Sequence, residues 1–138
     1  MVRFYMAAPF AWKQHALDVS IQLSEVGDYK STARWLHHHD TVNPGPNYNL
    51  TLAHYANEDY EDVLNSNLLV LLEPVEHTAS HGREVELGMA LAEGLTVWLV
   101  GPHENIFHYL VYSALRSVYI KHFHTVGEML AYARTAWL

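Results

Sequence analysis

The 138-residue sequence contains no cysteine. That absence excludes a disulfide framework, a thiolate zinc site and a cysteine nucleophile. Basic residues are scarce: 8 Lys and Arg stand against 15 Asp and Glu, a formal charge of −7 with neutral histidines. No basic run is available to displace counterions from a phosphate backbone, which argues against a nucleic-acid polymer as partner. No apolar stretch approaches the ~18 residues of a membrane span. The opening Met1-Val2-Arg3-Phe4-Tyr5 lacks the charged-then-apolar layout of a signal peptide. A cytoplasmic protein that does not enter a membrane is therefore expected. Half of the residues are apolar and 17% are charged, a folded rather than disordered composition. The length suits one domain over residues 1–138. Histidine is the oddity, with 11 copies.

Apolar spacing switches repeatedly between strand and helix along the chain. Residues 2–8 read as a buried strand ending at Pro9, and Phe10 to Val26 as a helix with Ala16, Val19, Leu23 and Val26 inward and Gly27 as its stop. Tyr29 to Ala33 reads as a second short strand, and residues 37–49, with two prolines and a glycine, as a loop of functional length. A helix over 50–65 carries Ala53, Ala56, Tyr60, Val63 and Leu64 on one face. The aliphatic runs Asn67–Glu73 and Leu95–Gly101 read as strands buried on both faces. Between them, Pro74–Ser80 forms a loop and 82–93 a helix closed by Gly94. A shorter helix is expected within 104–116 and a brief strand around Val118–Ile120. The last helix starts at Thr125, which has capping-box spacing to Glu128, and turns Val126, Met129, Leu130, Ala133 and Trp137 inward.

This alternation predicts an α/β fold: one small doubly wound, flavodoxin- or Rossmann-like domain with a mostly parallel five-stranded sheet flanked by helices. Ligands in such folds sit beyond the carboxyl ends of the strands, where strand order reverses.

Chemistry concentrates in Ser80-His81-Gly82-Arg83-Glu84-Val85-Glu86-Leu87-Gly88-Met89-Ala90. A loop after a buried strand enters a helix through glycine, and carboxylates follow in its first turns. Free amides and the helix dipole there attract anions, so Ser80–Arg83 offers a dock for a phosphate or sugar oxygen. The same dipole is expected to keep Glu86 ionised, hence nucleophilic, near neutral pH. Helix-start glutamates also occur for the dipole alone. Glu86, however, lies among Val85, Leu87, Met89 and Ala90, a poor setting for a solvated acid.

The segment Gly82-x-x-x-Glu86-Leu87-Gly88-x-Ala90 resembles the nucleoside 2-deoxyribosyltransferases and their relatives, the deoxynucleotide N-glycosidases. Other elements follow in the family's order: Tyr5-Met6-Ala7-Ala8-Pro9-Phe10, Asp59 eight residues before Asn67, Val100-Gly101-Pro102, and Phe123-His124-Thr125 leading to Glu128-Met129-Leu130. The resemblance implies that Glu86 attacks the anomeric carbon to form a covalent glycosyl-enzyme, that Tyr5 positions that carboxylate, and that Asp59 assists the departing base or orients the sugar. It implies substrate contacts at Ala8, Phe10, Gly82 and Trp35. At Ser80 it implies a 5′-phosphate contact, where nucleoside enzymes carry an acid for the 5′-hydroxyl. It further implies a homo-oligomer in which a neighbour completes the site, with Asn105 and His108 at the contributing position. The partner is then a small nucleoside or nucleotide, and neither cofactor nor metal is called for. Ala8 for the usual glycine and Asn67 for an acid depart from the pattern. They keep open a non-catalytic nucleotide-binding module, beside a glycohydrolase acting on ribonucleotides or a nicotinamide dinucleotide. The two-carboxylate logic is chemically coherent, since one acid stabilises an oxocarbenium-like centre while the other protonates the leaving group. Transfer to another base or to water is equally compatible.

His37, His38 and His39 are consecutive, a poor spacing for one metal. Within the 37–49 loop, His37 is the expected contact to a phosphate or base, with a solvated loop as the alternative. His103, His108, His122 and His124 read as surface or interface residues.

Overall fold

A computed structural model describes residues 1–39, 41–75, 81–102, 105–109 and 120–136. Five parallel strands lie in the order β2-β1-β3-β4-β5, with β1 Val2–Ala7, β2 Tyr29–Ser31, β3 Leu68–Leu72, β4 Thr96–Val100 and β5 Ile120–Phe123. Five α-helices accompany them among the described residues: α1 Lys13–Val26, α2 Trp35–His38, α3 Tyr48–Leu64, α4 Gly82–Ala92 and α5 Val126–Ala133. Single 3₁₀ turns occupy Phe10–Trp12 and Ile106–Tyr109. The chain thus has an α/β doubly wound fold. Helices α1 and α5 pack together over one face of the sheet, and α3 and α4 over the other. Strand order reverses between β1 and β3, which places the crevice at their carboxyl ends.

β3 is buried at all five positions, as its uninterrupted Leu-Leu-Val-Leu-Leu requires when helices cover both faces. In β1, Tyr5 pairs in register with Leu69, and its side chain turns to the α4 face, reaching Glu86. Thr125 caps α5 by accepting from the Glu128 amide at 3.1 Å, while Glu128 accepts from the His124 amide at 2.8 Å. Met129 and Ala133 are buried, with Val126 and Leu130 packed beside them.

Three expectations need correction. The inner face of α3 is Glu58, Asp62 and Val63, whereas Ala53, Ala56, Tyr60 and Leu64 are exposed. A charged face can turn inward here because Arg34 lies against it. Its backbone N–H and Nε donate to Asp62 at 2.9 Å each, Nη2 approaches Glu61 at 3.1 Å, and Nη1 approaches Glu58 at 3.3 Å. The 37–49 segment is not all loop: α2 runs into it, and α3 begins at Tyr48. The last strand, expected around Val118–Ile120, runs over Ile120–Phe123 among the described residues; the consecutive Lys121 and His122 between Ile120 and Phe123 hide its apolar signal, and residues 118 and 119 lie outside the described residues. Within 104–116, the described residues form only the 3₁₀ turn, and the remainder of that expected helix, like Trp137, lies outside the described residues.

Candidate active site

A cavity of about 310 Å³ opens at the β1/β3 switch point, at the small end of ligand pockets. Each wall follows from a local pattern. On α4, Gly82, Val85, Glu86 and Met89 recur at three and four residues and form one stripe facing the cavity. The adjacent stripe of Arg83, Leu87, Ala90 and Leu91 is buried in the core. Strand β1 supplies Tyr5 and, just past its end, Ala8. Helix α3 contributes Asp59 and Ala56, and the α1 entrance Phe10. Trp35 closes one side. Its ring is buried, its Nε1–H donates to the Met6 carbonyl at 2.8 Å, and Phe10 sits 6.3 Å from it, centroid to centroid. His39 completes the wall.

Tyr5 is buried and its hydroxyl donates to Glu86 Oε2. Burial, together with the charges of Glu86 and Asp59, raises its pKa far above the ordinary phenol range, so it remains a donor. The Glu86 carboxyl is pushed up to about 8. Burial is the main cause, Asp59 adds to it, and the Tyr5 hydrogen bond opposes it. This corrects the expectation that the helix dipole keeps Glu86 ionised at neutrality. Glu86 is the fifth residue of α4, past the first turn where the dipole acts, and its surroundings withhold water. Asp59 is raised to about 7 by burial and by the neighbouring Asp62 and Glu58 carboxylates, against the pull of Arg34. The cavity therefore holds two acids that both titrate near neutral pH.

The structure brings Tyr5, Ala8, Phe10, Trp35, Asp59, Gly82 and Glu86 around one cavity. Ser80 lies outside the described residues. His37 does not join them. It is exposed on α2 and lines a separate groove with Leu17, Ser20 and Ile21, because one helical residue step turns it about 100° from its neighbours. Its place is taken by His39, which ends α2 and turns inward.

Asn105 and His108 lie on the far side of α4. Asn105 Oδ1 accepts from the Phe107 amide at 2.8 Å, and Asn105 borders a groove with Glu84, Leu87 and Phe107. His108 is buried within the chain rather than at its surface, with Nε2 3.0 Å from Glu84 and 3.8 Å from Glu73. Burial and the adjacent Glu84 push Glu73 up to about 8. Burial works the other way on Glu84, yet hydrogen bonds from His108 and Glu73 hold it at about 2. Glu73, Glu84 and His108 have the donor types of a metal site. Arg83 Nε already stands 3.3 Å from both Glu73 oxygens, however, and supplies the positive charge there. The network ties the end of β3 to the first turn of α4, three residues before Glu86.

Sequence reasoning missed His39, the Arg34 clasp and the Glu73–Arg83–Glu84–His108 network. The clasp had one legible signal, the i, i+4 pair Glu58 and Asp62, which reads equally as a solvated face.

No protein-family model matches the chain, and no curated protein matches it. A solved structure, that of the Clostridium botulinum CMP N-glycosidase BcmB, is similar to it with a TM-score of 0.55 and 17% identity. The likeness covers 94% of this chain and 95% of that one. At that identity, what the two share is the fold. Among the described residues no helix is long and apolar enough to cross a membrane.

Proposed function

We propose that this protein cleaves the N-glycosidic bond of a 2′-deoxynucleoside or its 5′-monophosphate and passes the sugar to water or to another base. The observation that carries the reading is one cavity holding a carboxyl group oriented by a buried phenol, Glu86 with Tyr5, and a second acid, Asp59. In the reaction Glu86 acts as its carboxylate, the form populated as pH rises toward about 8: one Oε attacks C1′ as the C1′–N bond breaks, and the bonding electron pair leaves with the base. Asp59 supplies the base with its proton. Water or an incoming base then attacks C1′, its proton returns to Asp59, and the Glu86–sugar ester is released. Tyr5 holds one Glu86 oxygen so that the other faces the sugar. Gly82, which opens α4, leaves open space where a side chain would stand, and its amide end suits a 5′-phosphate. Ser80 is assigned to that phosphate by the family resemblance.

The same groups serve a ribonucleotide equally well, and the similar fold of a CMP N-glycosidase favours that second reading. Both are tested by following base release, by chromatography, from matched deoxy and ribo substrates, each as nucleoside and as 5′-monophosphate. The expected result is release from a monophosphate faster than from its nucleoside. Nucleotide binding by calorimetry with no base released from any member of the panel would overturn the proposal in favour of a non-catalytic module.

A further inference from the structure

His39 is 5% exposed, lines the cavity, and stacks its ring on Tyr55 with centroids 3.9 Å apart and planes inclined by 21°. Its backbone carbonyl is tied down by the Lys13 ammonium. Backbone and ring are thus each held by one partner, yet Nε2 makes no hydrogen bond among the described residues. It faces Asp59 Oδ1 at 3.7 Å and Glu58 Oε1 at 3.6 Å, both too long for a bond. Asp59 Oδ1 is likewise buried and unpartnered among the described residues. Two adjacent buried polar atoms left unsatisfied in a cavity are costly unless a ligand pairs with them.

With two carboxyl groups in front of Nε2, the imidazole tautomer carrying its proton on that nitrogen is favoured. Asp59 must also carry a proton if it is to assist the leaving base. Two donors 3.7 Å apart then converge on one acceptor, a geometry that a carbonyl oxygen with two lone pairs satisfies. We infer that His39 Nε2 and Asp59 Oδ1 bind a carbonyl oxygen of the departing nucleobase, which makes His39 a specificity-determining residue for 2-oxopyrimidines over adenine. When C1′–N1 breaks in a pyrimidine, negative charge spreads onto O2. Donors fixed in advance at that oxygen stabilise the departing base more than the bound substrate. Adenine offers no carbonyl and would leave both groups unpaired. The inference rests on the N-glycosidase reading of the cavity.

Its test compares wild-type, His39→Ala and His39→Gln proteins on CMP, dCMP, AMP and dAMP, with a 4-nitrophenyl glycoside of the same sugar phosphate as control. Nitrophenolate is a good leaving group with no base edge to read. His39→Ala is expected to lower kcat/KM for the pyrimidine substrates roughly 10- to 100-fold more than for the nitrophenyl glycoside, and to erode the preference over adenine. His39→Gln places an amide N–H near the position of Nε2 and should recover part of the loss. An equal loss on all substrates would mark His39 as structural and overturn the inference alone. So would a wild-type preference for adenine. A wild-type protein that releases neither base nor nitrophenolate would overturn the underlying activity reading. Independently of turnover, free cytosine should shift the His39 Hε1 proton resonance, identified by its loss in His39→Gln. No shift at saturating cytosine would also contradict the inference.

Discussion

A Glu86→Gln protein is expected to fold normally and to release base at least about 10³-fold more slowly than wild type, because an amide neither attacks C1′ nor balances its positive charge. The amide oxygen still accepts from Tyr5, so the surrounding geometry survives the change. The same substitution should stabilise the protein at alkaline pH. In the folded chain Glu86 titrates near 8, whereas the ordinary value is 4.5. Its native proton therefore contributes stability that is fully present below about pH 4.5 and is lost as pH rises through about 8. Glutamine cannot ionise and escapes that loss. For a part-buried side chain the difference amounts to roughly 3 kcal/mol, on the order of 10 °C in Tm. Wild type and variant should melt together near pH 5 and diverge toward pH 8.5, with the variant higher. Parallel melting curves across that range would contradict the account of Glu86 burial.

Gly101→Ala is expected to cost about 3–5 kcal/mol, read as a lower urea midpoint and a Tm drop on the order of 15 °C. Gly101 has φ of +112°, a region L side chains rarely adopt, and a Cβ there would lie 2.3 Å from the Glu73 carbonyl oxygen. Neither partner can yield cheaply. The Glu73 amide donates to the Val100 carbonyl at 2.9 Å, and the Gly101 amide donates to the Phe123 carbonyl at 2.9 Å, so both backbones are fixed in the sheet ends. Displacing Glu73 would also disturb Arg83, and with it the first turn of the helix that carries Glu86. Stability within about 0.5 kcal/mol of wild type would show that these strand ends are looser than described.

The fold was largely legible because its buried strands speak for themselves. Leu68–Leu72 and Val97–Val100 are apolar throughout, and only a sheet covered on both faces needs that. β5 was less legible, since two of its four residues are Lys and His at part-exposed positions. In the site, Glu86 announced itself as an acid among apolar neighbours, whereas Tyr5 and Asp59 were found only through the family resemblance. The electrostatic state of Glu86 was misjudged because the dipole can be read from sequence and the loss of water cannot. Choosing among His37, His38 and His39 depended on where a four-residue helix ends, which no periodicity marks. Arg34 was invisible as an organiser because its carboxylate partners lie 24–28 positions away, on a helix whose charged face reads as solvated.

The central claim is that the Glu86 carboxylate forms a bond to the sugar. Intact-protein and peptide mass spectrometry after incubation with a 2-fluoro-2-deoxyarabinosyl pyrimidine 5′-monophosphate tests it most directly. The fluorine slows breakdown of the intermediate by disfavouring positive charge at C1′. The account predicts a stoichiometric mass increase of one fluorosugar phosphate, mapped to Glu86 and absent from Glu86→Gln. Release of base from that compound by an unmodified protein, or an adduct on any other residue, would contradict it.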